Sequence, residues 1–323
     1  MFRRRRIVRK AAERAARFPP ISSSAAGARG TGRGCARLQP NTLIRVERCA
    51  GPAAWSYNGA SLFRAWLVLA AVGVSAARGA APSYSSDGIV NASDYAPGPF
   101  APGSIVSIFG IDLSFGTLGL TADNTTARTL PNELSNVRVY LNNSLAPLLF
   151  VCPTQINFIV PSNLRPGTIP LRVVRQGISG PEVGMTLVDA APQLFKSKDG
   201  YVLAQHGGDY SIVTSDAPAR GGEVIVMYAT GLGRTQPYPA PSEIPNYPGK
   251  VVSELKLTIA GLAVGPERIW YAGLSPGMAG VYQINVQVPD NLDANPEIRV
   301  SMAGQSSAAG IKLRTQPDSG EPR

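Results

Sequence analysis

The sequence contains a single histidine, His206, and this scarcity limits the chemistry that the chain can perform. A histidine-based triad or a metal site with several histidine ligands is excluded unless His206 acts alone. Its neighbours Gly207, Gly208 and Asp209 are typical of a polar turn, so a structural or solvent-facing role is expected. Acidic residues are dispersed, without the alternating spacing of a calcium loop. We therefore predict no catalytic residue, no metal site and no cofactor, and a protein that is not an enzyme.

Cysteine is also scarce, with three residues in the chain. Cys35 and Cys49 lie in the basic N-terminal region, and only Cys152 lies in the region expected to fold. No disulfide within the folded region is therefore expected, and the inter-sheet disulfide of antibody domains is absent. Cys152 follows an apolar run and is expected to be a small buried hydrophobic residue rather than a nucleophile.

Positive charge is scarce outside the N-terminal region. Residues 1–80 hold 15 of the 31 lysines and arginines but only Glu13 and Glu47 of the 21 acidic residues. The remaining 16 basic and 19 acidic residues leave residues 81–323 at about −3, although the whole chain carries +10. Nucleic-acid binding by counterion release needs cations clustered on the folded part, so we exclude it.

The N-terminal region has the composition of a targeting segment preceded by an extension. Residues 1–61 are rich in Arg, Ala, Gly and Pro, which predicts a disordered basic extension upstream of a translation start near Leu62. Residues 62–80 read as a signal peptide, because Arg64 precedes a short apolar run and small residues that permit cleavage. The alternative is a cytosolic tail followed by an uncleaved anchor. We expect a secreted, periplasmic or cell-envelope protein that meets the membrane only through the signal peptide.

The rest of the chain lacks amphipathic helices of ordinary length and contains a duplicated strand motif. The sequence of residues 155–161 (QINFIVP) is nearly repeated at residues 283–289 (QINVQVP). Their alternation predicts a half-buried strand with the glutamine and asparagine on the opposite face from the aliphatic residues. We interpret these amides as a structural lock, with sugar binding as the alternative. The residues that form this repeat motif are Gln155, Asn157, Pro161, Gln283, Asn285 and Pro289.

Other segments correspond between the two halves, which predicts two tandem immunoglobulin-like β-sandwich domains, residues 84–190 and 191–315, with a disordered tail at 316–323. Residues 103–110 match 222–229, and the alternating runs 137–141 and 255–259 match each other. Further strand pairs are expected at 169–174 with 183–188 and at 298–302 with 311–313. The second unit has about nine additional residues, placed at 272–280 and expected to form a loop.

The ordered series of motifs resembles the Solibacter-type uncharacterised C-terminal domain family of exported acidobacterial proteins. The motifs are residues 103–110 (GSIVSIFG), 192–195 (PQLF), 228–233 (YATGLG) and 271–285 (YAGLSPGMAGVYQIN). The resemblance implies export and an immunoglobulin-like or TIG-like β fold. It implies no activity, because the family has no assigned catalytic residues.

Aromatic residues of the second unit are the candidate ligand-binding or partner-binding residues, because flat rings suit sugars and proteins. The alternative is that Trp270 and Tyr282 belong to the core. The candidates are Tyr238, Tyr247, Trp270, Tyr271 and Tyr282. The leading hypothesis is a non-enzymatic interaction or spacer module at the cell envelope. The second is an extracellular carbohydrate-binding protein that uses residues 237–248 and 275–280, and an unorthodox hydrolase is the third. The expected partner is an envelope protein or polysaccharide.

Overall fold

The computed structural model describes residues 79–290 and 292–316. The predicted basic extension, most of the predicted signal peptide and the tail beyond Gln316 lie outside the described residues. Among the residues that are described, no helix has the length and apolar character needed to cross a membrane. The structure is almost entirely β, with antiparallel pairing throughout its named strands.

The first unit contains nine strands, one short α-helix and a 3₁₀ helix at Ser86–Gly88. The strands are β1 (Ile89–Asn91), β2 (Ile105–Phe109), β3 (Leu118–Gly119), β4 (Val137–Leu141), β5 (Ser144–Leu145), β6 (Leu148–Cys152), β7 (Gln155–Ile159), β8 (Gly167–Arg175) and β9 (Ile178–Leu187), and α1 is Ala122–Ala127. One sheet has the order β1-β2-β7-β6-β3 and the other β5-β4-β8-β9. Aliphatic side chains from both sheets, including Ile108, Val139, Ile156 and Val173, form one buried core between them.

The second unit contains eleven strands, with the same smaller sheet of four strands and a larger sheet of seven strands in place of five. They are β10 (Gln193–Leu194), β11 (Ala204–His206), β12 (Val224–Thr230), β13 (Thr235–Gln236), β14 (Lys250–Val251), β15 (Lys256–Ile259), β16 (Leu262–Ala263), β17 (Ile269–Leu274), β18 (Tyr282–Gln287), β19 (Ile298–Met302) and β20 (Gln305–Ser306). The larger sheet has the order β10-β12-β18-β17-β14-β13, with β11 also paired to β12, and the smaller has β16-β15-β19-β20. A second core, separate from the first, lies between these sheets. The predicted pair of immunoglobulin-like β-sandwiches is confirmed.

The duplication extends to the pairing register. Ser107 faces Asn157 across β2 and β7, and Val226 faces Asn285 across β12 and β18. The neighbouring ladders are interrupted at the same place, between Leu148 and Phe150 in β6 and between Ile269 and Tyr271 in β17. The strands that carry the repeated heptapeptide are therefore central in both units, with an equivalent bulge beside them.

A second repeated element lies at the end of β1 and of β11. Tyr95 and Tyr210 both have φ near +60°, and the amide of each donates to a carbonyl four residues earlier over 2.9 Å. The preceding residues, Asp94 and Asp209, each accept a hydrogen bond from the amide two residues later. A left-handed conformation is uncommon for tyrosine, so its recurrence marks one turn inherited by both units.

Three sequence expectations need correction. The first concerns β7, which is buried on both faces and is not half-exposed, because its polar face is covered as well as its apolar face. The second concerns residues 311–313, which form isolated bridges, while β20 takes the place beside β19. The third concerns Cys152, which is buried as expected but is disulfide-bonded.

A third apolar cluster joins the two units. The first unit contributes Ala92, Ile105, Leu130, Leu149 and Ile159, and the second contributes Phe195, Val226, Tyr228, Ile244, Met278 and Val281. Every one of these side chains is buried. Burial of apolar surface is the main favourable term in association, so the contact holds the two sandwiches together.

Candidate ligand-binding cleft

The five aromatic candidates do not share one surface. Tyr271 and Tyr282 are buried, and their hydroxyls donate to backbone carbonyls, to Leu274 over 2.8 Å and to Gly233 over 2.7 Å. Burial raises the pKa of Tyr271 to about 12 and raises the pKa of Tyr282 as well. Neither ring is accessible to a ligand. Their hydroxyls hold the backbone at the end of β17 and just after β12.

The proline-rich segment at residues 237–248 contacts the first unit. The carbonyl of Pro239 accepts a hydrogen bond from the Ser162 hydroxyl over 3.0 Å. The amide of Leu130 donates to the carbonyl of Ser242 over 2.8 Å. These hydrogen bonds cross between the units, so the segment acts as a strap that holds them together.

The two tyrosines of this segment take part in the same packing. Tyr238 is 37% exposed, and burial of the rest of its side chain raises the pKa of its phenol. Tyr247 packs against the second core and donates to Oε2 of Glu243 over 3.2 Å. Tyr238 lies beside Ile159 and Ser162 of the first unit, whereas the contacts of Tyr247 lie within the second unit.

The additional loop of the second unit has the same role. Gly280, at its end, has φ +71°, and a Cβ there would lie 2.6 Å from Cγ1 of Ile105 in the first unit. The Gly280 carbonyl accepts from the hydroxyl of Thr230 over 2.9 Å, and that hydroxyl oxygen accepts from the amide of Ile105 over 3.0 Å. The loop predicted at 272–280 is shorter than expected, because residues 272–274 belong to β17. Its remainder supplies part of the joint between the units.

The repeated amides form equivalent side-chain pairs. Nε2 of Gln155 donates to Oδ1 of Asn157 over 2.9 Å, and Nε2 of Gln283 donates to Oδ1 of Asn285 over 3.2 Å. Both asparagines are buried, so neither can bind an external sugar. Each pair sets a donor against an acceptor on one strand face, which agrees with a structural role. Nδ2 of Asn157 is nevertheless buried without a hydrogen-bond partner among the described residues.

Trp270 lies in an open cleft of about 780 Å³ in the second unit. The indole is partly exposed, and in the described part of the chain it has no hydrogen-bond partner. The cleft is completed by the turn after β11 and by the segment before β12. Its polar side chains include His206, Asp209, Asp216, Arg220 and Glu223.

His206 is held between two hydrogen-bond acceptors in this cleft. Its Nδ1 lies 3.1 Å from Oε1 of Glu223, and its Nε2 lies 3.1 Å from the carbonyl oxygen of Ala217. Both partners can only accept, so the neutral ring donates to one of them and the protonated ring donates to both. The two contacts fix the position of the ring in one wall of the cleft.

The aspartate carboxylates of the two repeated turns, Asp94 and Asp209, have different surroundings. Burial raises the pKa of Asp94 in the first unit. The hydrogen bond from the Ser211 backbone lowers the pKa of Asp209 in the second unit, where the side chain is exposed. The same turn is therefore partly desolvated in the first unit and open to water in the second.

The cleft occupies the position through which the first unit contacts the second. The ladder registers place Val224 where the first unit has Ile105 and Gln287 where it has Ile159. Trp270 and Leu149 are both the extra residue of the equivalent bulge. In the first unit the residues at these positions belong to the shared apolar cluster, whereas in the second unit the end is open and lined by polar groups.

The chemistry of the cleft suits binding. A flat apolar ring stands beside hydrogen-bonding and charged side chains, which is the composition of sites that hold amphipathic ligands. No group of three or more histidine, cysteine or acidic side chains that could hold a metal ion occurs among the described residues.

Sequence reasoning identified Trp270 but read His206 as part of a simple turn, and it overlooked Glu223 and Arg220. His206 and Glu223 are 17 residues apart and meet only because β11 pairs with β12. The Asp-Tyr dipeptide at 94–95 and 209–210 was an available signal, because it marks the turn that forms one wall of the cleft.

No family model and no curated protein matches the chain. Among solved structures, the chain is similar to a surface glycan-binding protein of Prevotella bryantii, with 13% identity, 72% of this chain and 42% of that chain covered, and a TM-score of 0.25. It is also similar to a surface glycan-binding protein from the mixed-linkage glucan utilization locus of Bacteroides ovatus, solved with a mixed-linkage heptasaccharide (9% identity, coverage 73% and 46%, TM-score 0.29). A third similar structure contains the tandem immunoglobulin repeats of Dlar (12% identity, coverage 73% and 95%, TM-score 0.18). The chain spans less than half the length of the two glycan-binding proteins, and at these TM-scores the similarity carries no argument about a ligand.

Proposed function

We propose that the protein is an exported, non-enzymatic interaction module that binds a polymer of the cell envelope through the free end of its second unit. Polysaccharide is the favoured class of polymer. One observation carries the proposal: two equivalent ends of a duplicated fold differ, one being buried in the joint between the units and the other forming an open cleft around Trp270.

The joint supports a second candidate function, that of a rigid spacer. Hydrogen bonds from Ser162 to Pro239 and from Leu130 to Ser242 cross between the units, and an apolar cluster lies between them. Large apolar contacts between domains restrict their relative motion. A rigid spacer and a binding module are compatible, because rigidity would fix the direction in which the cleft is presented.

Sedimentation with insoluble polymers tests the proposed function. The purified protein is incubated with cellulose, xylan, chitin and peptidoglycan sacculi, and the bound fraction is measured after centrifugation. We expect saturable binding to at least one polymer, with no increase in reducing ends during prolonged incubation. Protein that stays in the supernatant with every polymer would contradict the binding proposal. Release of soluble sugars would contradict the non-enzymatic part.

Small-angle scattering tests the spacer function separately. A rigid pair of units gives a scattering curve that one conformation reproduces, with no change in the radius of gyration between low and high salt. A curve that requires a broad range of orientations would remove the spacer role and leave the binding proposal unaffected.

A further inference from the structure

The position of Trp270 in the duplicated fold identifies it as a residue that has changed its role. Its counterpart Leu149 is 7% exposed and belongs to the apolar cluster between the units. Both residues are the additional residue of a β-bulge, which displaces a side chain from the regular ladder. The first unit uses this position for an aliphatic contact with a neighbouring domain, whereas the second unit places a large, partly exposed aromatic ring there.

The residues around Trp270 also differ from their counterparts in the first unit. The counterparts of Ile105, Ile159 and Ala92 are Val224, Gln287 and Gly207, so this end of the second unit has smaller or more polar residues. The buried pair Asn91 and Ser104 is replaced by His206 and Glu223, which contact each other. A face with this composition is poorly suited to dock another apolar domain end, because its polar groups would lose water without gaining partners.

We infer that the cleft is a saccharide-binding site, with the indole of Trp270 as the platform for one pyranose ring and with Arg220 and Asp216 as hydrogen-bonding partners of its hydroxyls. The inference rests on the proposed function and names the ligand and the residues. A pyranose presents C–H groups on its face and hydroxyls at its rim, which matches an aromatic face with polar side chains beside it. The cleft volume of about 780 Å³ is within the usual range for small-molecule sites, roughly 300–1,000 Å³.

The charge of the cleft selects among saccharides. Asp209, Asp216 and Glu223 supply carboxylates, and Glu223 is already engaged by His206. Among the described residues that line the cleft, Arg220 is the only lysine or arginine. Acidic groups repel uronic acids and sulfated sugars, so the ligand is a neutral polysaccharide. The cleft is open, so it accepts residues within a chain as well as chain ends.

Calorimetric titration of the whole protein tests the assignment. The titrants are neutral oligosaccharides of six residues, with β-1,4-glucan, β-1,4-xylan, β-1,4-mannan and chitin representatives, and oligogalacturonate is the anionic comparison. We expect binding to at least one neutral oligosaccharide and none to oligogalacturonate. Binding to oligogalacturonate alone would overturn the assignment.

Variants locate the site. Trp270→Leu installs the residue found at the equivalent bulge of the first unit, so it removes the ring while keeping an apolar side chain, and we expect at least a tenfold loss of affinity. Trp270→Phe keeps a ring and should lose less. Val252→Ala changes an exposed apolar residue outside the cleft, and Tyr247→Ala changes the proline-rich strap, so both should bind as the unaltered protein does.

Two results would overturn the inference and leave the proposed function standing. One is sedimentation with an envelope polymer that Trp270→Leu does not alter. The other is binding to such a polymer with no calorimetric signal for any neutral oligosaccharide at millimolar concentration. Absence of binding to every polymer and every oligosaccharide would overturn both. Circular dichroism of each variant shows whether the fold is retained.

Discussion

The hydroxyl of Thr230 is predicted to be the most sensitive single group in the joint between the units. The residue is fully buried, its hydroxyl oxygen accepts from the amide of Ile105, and its proton is donated to the carbonyl of Gly280. Thr230→Val has nearly the same shape and removes both hydrogen bonds. The amide of Ile105 then stays buried without its acceptor, which costs about 1–3 kcal/mol, and the partly buried carbonyl of Gly280 loses a donor. The free energy of unfolding should therefore fall by roughly 2–4 kcal/mol.

Thr230→Ser is the matched control, because it keeps the hydroxyl and removes one methyl group. Loss of a buried methyl group costs about 1 kcal/mol, so Ser should be clearly more stable than Val at this position. Urea unfolding followed by circular dichroism measures all three proteins under one condition. The reasoning is refuted if Thr230→Val unfolds within about 0.5 kcal/mol of the unaltered protein, or if Ser and Val cost the same.

Three further predictions follow from particular contacts. Gly280→Ala should lower stability by about 2 kcal/mol or more, because its Cβ would lie 2.6 Å from Ile105 Cγ1. The control Gly310→Ala, at a similar φ of +77° in open space, should cost only about 1 kcal/mol. Equal shifts of the melting temperature for the two variants would contradict this reasoning. Tyr282→Phe should cost about 1 kcal/mol in urea unfolding, because the Gly233 carbonyl loses its donor, and an unchanged midpoint would count against that hydrogen bond. Burial raises the pKa of Asp94 above its ordinary 3.8, so the folded state keeps this proton longer than the unfolded state; stability from this group is full below that value and is lost as pH rises through the raised pKa. Asp94→Asn should therefore show a smaller fall of unfolding free energy with rising pH above 3.8, and identical slopes would contradict the assignment.

The sequence predicts much of the fold because strand alternation is a local property. The repeated heptapeptides lie on β7 and β18 as expected, and the alternating runs near 137–141 and 255–259 form β4 and β15. The prediction that residues 311–313 form the strand beside β19 was wrong, because the tight turn after β19 pairs it with β20. Ile311 and Leu313 are apolar because they pack in the core, which does not require a strand.

The candidate site was harder to predict because it depends on long-range geometry. Whether an aromatic ring is exposed is decided by what covers it. Tyr282 and Trp270 lie in neighbouring strands of one sheet, but Tyr282 is buried and Trp270 lines an open cleft. Burial of the polar face of β7 likewise depends on the rest of the fold, which alternation within seven residues does not encode. The role of the proline-rich strap depends on the position of Leu130, more than 100 residues earlier.

The joint also constrains how this duplicated gene product can be recombined. Its strap and its additional loop belong to the second unit alone, so the two copies have become non-interchangeable halves of one body. A fragment that begins near residue 191 would leave Phe195, Val226 and Met278 facing water, and an apolar patch of that kind promotes aggregation. The two units must consequently be transferred together when the domain is moved to another protein. A boundary between them would expose the buried apolar contact that joins them.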